Sequence, residues 1–382
     1  QERREKEEQE RREKEEQERR EKEEQERREK EEQERREKEE QERREKEEDE
    51  IIVNEGMEVT FGREKPKSLD EIGDMLRIHN KKHTPINWDD YCEFNRVQER
   101  YIKKIRGNKY IVCDGEFSDN IKEGKNIIKF KKYDNNVLFN LVQKWGYGYF
   151  HFVCEILPRI LYYVKHQDKF INKKIFFLLY FNDNFILQYL KLLTNEIANI
   201  QIVPYDNNNV YNIEDIDTYL ITPTICGNPS LEGISLIKHY YLNKIVPFDE
   251  CCILIKRNEV DRRIENFDEV YSYLRDNYKE DKWVVFDKQS VEETMYLFNN
   301  AKVIIGSHGA GLSNIVFGNE NTQVLEFVPK LNFNCCYWNL SNIMKQHHLI
   351  YPVENYEGNG SFKVEMKKFK KYITYIYNKI NF

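Results

Sequence analysis

The chain has 382 residues, 39% of them hydrophobic, and a formal net charge of −7. An opening repeat and the two acids after it carry −8, so residues 51–382 come to +1. A nearly neutral body lacks the basic footprint of a nucleic-acid binder, no run approaches the ~20 apolar residues of a membrane-spanning helix, and the length suits one large or two medium domains.

Residues 1–48 are QERREKEE written six times. The octad has no apolar residue and so no coiled-coil seam. Its charges match at i,i+4, as in Glu2 with Lys6 and Arg3 with Glu7. Each such pair is worth roughly 0.2–0.5 kcal/mol in an isolated helix. The repeat, residues 1–50 with its flank, therefore predicts a solitary charged helix of about 70 Å at 1.5 Å per residue. Disorder is the alternative for so polar a segment. No signal peptide is visible, but the chain starts inside a repeat and without Met, so that absence says little. Residues 51–104 mix polar and apolar residues without a clear period and read as a linker.

From about 105 the pattern sharpens. KYIVCD (109–114) reads as a strand, YGYFHFVCEILPRILYYVKHQ (147–167) as a helix, and KIFFLLY (174–180) as a buried strand. NFILQYLKLLTNE (184–196) has helical spacing, and NIQIVPY and DTYLITP are further strands. CCILIKR (251–257) is a continuous apolar strand ending in Arg257. Asn266-x-x-Glu269 and Ser290-x-x-Glu293 resemble capping boxes that open helices to about 278 and 300. Between and after them come the strands KWVVFD (282–287), KVIIG (302–306) and TQVLEFVP (322–329). Alternating elements with unbroken apolar strands predict parallel sheets covered by helices. Two such halves, 105–240 and 241–352, read as two Rossmann-like domains. In residues 353–382, KKFKKYITYIYNKI spaces Phe369, Ile373, Ile376 and Ile380 for a helix that packs back on the body.

The eight cysteines form no CxxC pair, so zinc or redox chemistry is weakly indicated, and Cys251 reads as a buried thiol. Asn339-Leu-Ser341 and Asn359-Gly-Ser361 are glycosylation sequons. Asp215-Ile-Asp217 has the form of a metal motif but runs straight into a strand, and reads as its lead-in.

The stretch that carries chemistry is KVIIGSHGAGLSNIVF, residues 302–317. A buried strand ends in a loop holding His308 among Gly306, Gly309 and Gly311. Ligands of open α/β sheets bind at the carboxyl ends of strands. Glycines let backbone N–H groups approach an anion, and a helix starting near Leu312 would add its positive end. The loop thus suits a phosphate or diphosphate, and a tight connection is the plainer alternative. Arg257, Arg262 and Arg263 emerge at the same edge of the same predicted sheet, and arginine binds phosphate bidentately. Glu326 lies inside VLEFV, where an acid is unusual; sugar hydroxyls are a natural partner. His151, Glu155 and Arg159 stack at i, i+4 and i+8 on one helix face, although Pro158 must kink or restart that helix. A histidine beside a carboxylate suits a general base; a surface ion pair has the same spacing.

GYGYFHFVCEILPRILYY, ILIKRNEVDRRIENFDEV, VIIGSHGAGLSNIVF and VLEFVP occur in this order over roughly 105–352. Together they resemble glycosyltransferase family 61, which includes protein O-GlcNAc and O-mannose-extending transferases and plant xylan transferases. The resemblance implies a GT-B-like fold and an inverting transferase that uses a nucleotide sugar, often a UDP-sugar, with a glycan or glycoprotein acceptor and no metal or other cofactor. It implies that His308, Gly309, Ala310 and Gly311 sit on the diphosphate with Arg257 and Arg262, and that Glu326 binds ribose. His151, Glu155 and Arg159 would then line the acceptor side, with either His151 or Glu155 as the base. YGYFH departs from relatives in which an Asn often precedes the aromatic residue and the histidine. The eukaryotic members imply a Golgi or endoplasmic reticulum lumen behind a membrane anchor, which this sequence does not display; without a signal or anchor it would be cytoplasmic. An inactive member that binds a glycan or nucleotide, or a scaffold, is the alternative function.

Overall fold

A computed structural model of the chain describes residues 135–143, 145–181, 185–193, 200–206, 209–213, 216–219, 227, 229–244, 249–258, 261–329, 334–353 and 360–380, with the backbones of a few further strands. The repeat, most of the linker, Asp215, Asn359 and Cys92, Cys113 and Cys226 lie outside these residues.

The strands are β1 (Ile52–Val53), β2 (Ile102–Ile105), β3 (Asn108–Ile111), β4 (Asn126–Lys129), β5 (Asn136–Asn140), β6 (Lys174–Leu179), β7 (Ile200–Pro204), β8 (Asn209–Asn212), β9 (Asp217–Tyr219), β10 (Cys251–Ile255), β11 (Trp283–Phe286), β12 (Ala301–Ser307), β13 (Gln323–Pro329) and β14 (His347–Val353). They make three sheets. One is wholly parallel, in the order β7-β6-β5-β9. The larger runs β1-β14-β13-β12-β10-β11 and is parallel except at its antiparallel edge strand β1. β2, β3, β8 and β4 form a small mixed sheet. The protein is thus an α/β fold with two parallel sheets, GT-B-like in having one in each half of the body. KYIVCD differs from expectation: its β3 pairs in the mixed sheet, and the parallel sheet starts at β5, a strand the sequence reading passed over.

The reason for parallel pairing is visible in the burial. Every residue of β10 and β13 is buried, as a strand covered on both faces requires. The covering helices are α1 (149–165, in three segments), α2 (Ile186–Leu192), α3 (Leu231–Tyr241), α4 (Phe267–Asn277), α5 (Val291–Asn299), α6 (Cys336–Met344) and α7 (Met366–Ile380). One apolar core joins the halves, running from Phe139 and Phe177 through Tyr189 to Phe317 and Leu340. α3 packs on α1 closely enough that a Cβ at Gly233 would lie 2.9 Å from Pro158 Cβ.

Ser290 and Glu293 form the expected capping box on α5. Asn266 stands at the N-cap of α4 and its Nδ2 donates to Glu269 Oε2 at 2.9 Å, but its side chain makes no capping bond to the helix backbone. Its amide instead clasps Val364, donating to the carbonyl at 2.9 Å and accepting from the N–H at 2.8 Å. Beyond that clasp α7 buries Phe369, Tyr372, Ile373 and Ile376, each worth about 1.5–3 kcal/mol of transfer free energy. Asn339 of the first sequon is 8% exposed, and Ser341 Oγ lies 2.7 Å from His348 Nδ1. The folded α6 therefore does not present that sequon to a glycan. Cys154, Cys251, Cys252, Cys335 and Cys336 are buried thiols. No helix among the described residues is long and apolar enough to cross a membrane.

Candidate active site

β12 ends at Ser307, and the His308 N–H extends the ladder to Phe327 O at 2.9 Å. The chain then turns through Gly309 into a 3₁₀ helix, Ala310–Phe317. The three glycines have distinct reasons. A Cβ at Gly306 or at Gly311 would stand 2.9 Å from the Ile255 side chain, so both let the loop close on the end of β10. A Cβ at Gly309 would stand 2.2 Å from Arg257 Nη1 and 3.7 Å from Arg262 Nη1. The loop is therefore shaped around a guanidinium, with Ala310 exposed at its tip.

Arg257 follows β10 by two residues. Its Nε donates to Asp261 O at 2.9 Å, and its Nη2 is 3.9 Å from Asp261 Oδ2. Arg262 bonds the same carboxylate at 3.2 Å. Arg262 holds a left-handed φ of 58°, which is uncommon for a non-glycine residue. Its Nε is buried without a hydrogen-bond partner among the described residues. Two guanidinium groups thus converge on Gly309 with the shared Asp261 between them, an arrangement that attracts a further anion.

Glu326 sits in the middle of β13 and is 2% exposed. Its Oε1 lies 2.5 Å from His308 Nδ1 and its Oε2 lies 2.9 Å from His348 Nε2. Burial would raise its pKa, but the two histidines, His308 foremost, override that and hold it at about 2. A carboxylate only accepts, so both imidazoles turn an N–H toward it. His348 is then completed by the Ser341 hydroxyl at Nδ1, and His308 keeps Nε2 for the loop. This differs from the ribose contact expected of Glu326: both of its oxygens are occupied, and it reaches the site only through His308.

The amino-terminal constellation lies on α1. Tyr149–His151 is α-helical, Phe152–Ile156 is a π turn and Leu157–Lys165 is α again. Pro158 lies in the first turn of the last segment, where its missing N–H leaves the turn before it loose. Such π turns recur at functional sites. His151 Nδ1 bonds Glu155 Oε2 at 2.8 Å. Glu155 is fully buried, and its oxygens also accept from Gln143 Nε2 at 2.5 Å and from the Gly227 N–H at 2.6 Å. Arg159 is fully buried too. It donates to Asn140 O, Leu141 O and Gln143 Oε1. It therefore holds Gln143, which holds Glu155, which holds His151. The direct ligand contact expected of Arg159 is out of its reach.

Rings link the two constellations. Phe150 lies edge-on to both His151 and Tyr337, at centroid distances of 5.3 and 5.5 Å, and Tyr337 lies 5.0 Å from His308. Beside them the Tyr149 hydroxyl donates to Asn314 Oδ1 at 2.6 Å and pairs with the Tyr189 hydroxyl at 2.8 Å. Asn314 Nδ2 in turn bonds Gly311 O. The glycine loop is thus moored to the histidine-bearing helix. Gln143, Gly227, Tyr337 and His348 were not singled out in the sequence, and Ser341 only as part of a sequon. Asp217 is exposed at the start of β9. Among the described residues no group of three or more His, Cys, Asp or Glu side chains converges as a metal-ligand set.

Among solved structures the chain is similar to the bacterial iron-containing dodecameric glycosyltransferase TibC from enterotoxigenic E. coli H10407, at 13% identity and a TM-score of 0.27. The match covers 54% of this chain and 62% of that one. No curated protein matches. The family model described as Glycosyltransferase 61 matches residues 149–325, from the start of α1 to the middle of β13, a span that holds the histidine helix, the arginine pair and the glycine loop: these residues form a glycosyltransferase family 61 domain.

Proposed function

We propose that the protein is an inverting glycosyltransferase that moves a hexosyl or pentosyl group from a nucleotide sugar, a UDP-sugar, to an acceptor hydroxyl without a metal. The observation that carries the reading is the convergence of Arg257 and Arg262 on Gly309 at the carboxyl end of β10 and β12, beside His308. The donor's diphosphate would lie against these groups.

His151 is the base. Glu155 has no exposed surface and all of its contacts are inward, whereas the His151 side chain is 20% exposed. With Nδ1–H directed at Glu155, Nε2 is the ring atom that would take the acceptor proton. The acceptor oxygen bonds the anomeric carbon from the face opposite the diphosphate as the carbon–oxygen bond to the diphosphate breaks, which inverts the centre. The proton stays on His151, stabilised by Glu155. The charge that grows on the leaving diphosphate is met by Arg257 and Arg262, with the His308 ring held beside them by Glu326. The two guanidinium groups supply the charge neutralisation for which other sites use a divalent ion.

The test is a thermal-shift titration of the full chain with UDP, GDP and CMP, with and without EDTA. A ligand that binds only the folded state raises the melting temperature by mass action. A shift with UDP that survives EDTA and is lost in Arg257→Ala is the expected result. No shift with any nucleotide refutes the donor site, and a shift abolished by EDTA refutes the metal-free mechanism.

A further inference from the structure

Two of the five large hydrophobic side chains exposed among the described residues are aromatic, and they are neighbours. Trp145 is 48% exposed and Tyr147 is 54% exposed. Both stand in the turn between β5 and α1. Their rings are edge-on at 6.1 Å, and Tyr147 is backed by Tyr180, which follows β6, at 5.8 Å. Tyr180 is braced by Tyr205, which follows β7, at 4.9 Å. The three turns lie at the carboxyl ends of adjacent parallel strands, the edge where such sheets bind ligands.

The turn is held against the candidate base. The Gly148 N–H donates to Trp145 O at 2.8 Å, and a Cβ at Gly148 would lie 3.4 Å from His151 Cδ2, the ring carbon next to Nε2. Trp145 itself has a φ of 64°. A bulky residue pays for that left-handed conformation, which glycine adopts freely. The Trp145 residue is nonetheless about half exposed, unlike a core tryptophan. Strain of this kind is a pointer to function.

We propose that Trp145 and Tyr147 form a carbohydrate-stacking platform that holds the acceptor, so that the hydroxyl presented to His151 belongs to a glycan. Its place in catalysis rests on the transferase reading; its binding does not. The ring faces carry negative charge density, which matches the weakly positive C–H faces of a pyranose. In sequence the turn from Gln143 to Phe150 holds one charged residue, Lys144, and the two exposed rings carry the proposal. The other hydrophobics exposed among the described residues, Ile171, Leu187 and Leu231, are aliphatic and lie on other elements, so among the described residues no mixed apolar patch of the kind that binds a protein surrounds the rings.

The experiment is saturation-transfer NMR of the full chain with cellotetraose, xylotetraose and chitotetraose, beside the UDP thermal shift. The variants are Trp145→Gly, Tyr147→Ala and Tyr147→Phe. At least one oligosaccharide should bind with a Kd on the order of 1 mM. Binding should weaken at least about tenfold in Trp145→Gly and Tyr147→Ala and persist in Tyr147→Phe, which keeps the ring. All three variants should keep the UDP shift, and Trp145→Gly should melt no lower than the parent, since glycine relieves the strained position. No binding of any of the three sugars at about 10 mM, or equal binding in the ring-deleted variants, overturns the platform. Ring-dependent sugar binding with no UDP shift overturns the transferase reading and leaves the platform standing.

Discussion

Gly309→Ala separates binding from folding at one atom. The new methyl would sit 2.2 Å from Arg257 Nη1, against an ordinary contact of about 3.5 Å, so the guanidinium must retreat by about 1 Å. It is the far end of a flexible side chain, and a strained rotamer costs about 0.5–1.5 kcal/mol. The methyl would stand 3.7 Å from Arg262 Nη1, ordinary contact, so Arg262 stays. The alanine must also hold the Gly309 backbone, φ 158° and ψ 176°, a region essentially confined to glycine and costing about 1–3 kcal/mol, so stability should fall by about 2–4 kcal/mol. Nucleotide affinity of the folded fraction should fall as well, because a charge-assisted hydrogen bond is worth about 1.5–3 kcal/mol, or about 10- to 150-fold in Kd. The assay is calorimetric titration of UDP into the parent, Gly309→Ala, Arg257→Ala and the double variant. In the Arg257→Ala background the methyl has no guanidinium to displace, so the Gly309→Ala effect should vanish, leaving a coupling close to the whole single-variant loss. Additive losses, or parental affinity in Gly309→Ala, would refute the claim that this glycine exists to admit Arg257.

Gly306→Ala should behave in the opposite way. Its methyl meets Ile255 Cδ1 at 2.9 Å in the core, so melting should reveal about 1–3 kcal/mol of overpacking with UDP affinity kept in the folded fraction. Ile255→Val removes Cδ1 and should recover part of that loss. Glu326 has a folded pKa lowered from 4.5 to about 2. Its contribution, on the order of 3 kcal/mol, is present above pH 4.5 and is lost as pH falls toward 2. Urea unfolding across that window should show a drop in the parent that Glu326→Gln lacks; parallel profiles would contradict the ionised carboxylate. Arg159→Ala strands two backbone carbonyls and Gln143, so unfolding should become easier by about 3 kcal/mol or more. In the fraction that folds, turnover should fall while UDP affinity holds; a selective loss of UDP affinity would contradict its place behind His151 and Glu155.

The second half of the protein was the more legible. β10, β11, β12 and β13 are continuous apolar runs, and the Ser290 box marks a helix start by a hydrogen-bond pattern that is local in sequence. What escaped was set by distance along the chain. β5, NVLFN, is short and flanked by Asn, so local propensity hides a strand that its parallel neighbours β6 and β9 impose. α6 and β14 were passed over, and with them Tyr337 and His348, so Glu326 looked like a carboxylate waiting for a sugar. His151 and Glu155 were found by helical spacing, but spacing does not tell which of the two faces solvent. The depth of Glu155 depends on Gln143 and on Gly227, 72 residues away. Asn266 misled because its amide has a better offer from Val364 than from its own helix.

That clasp also sets an order of events during synthesis. The Arg262 N–H bonds Gly360 O, the Glu265 N–H bonds Phe362 O, and Asn266 grips Val364. The loop that aims both arginines is therefore braced by chain made about 100 residues later. A ribosome that has finished β10, the glycine loop and β13 has delivered every donor-side residue and still lacks the brace. The nascent chain should acquire its first fold, including the histidine helix, well before it can grip a nucleotide. Because contacts of long sequence separation form late, nucleotide binding by stalled chains of increasing length should switch on only once residues 360–364 and α7 have left the tunnel.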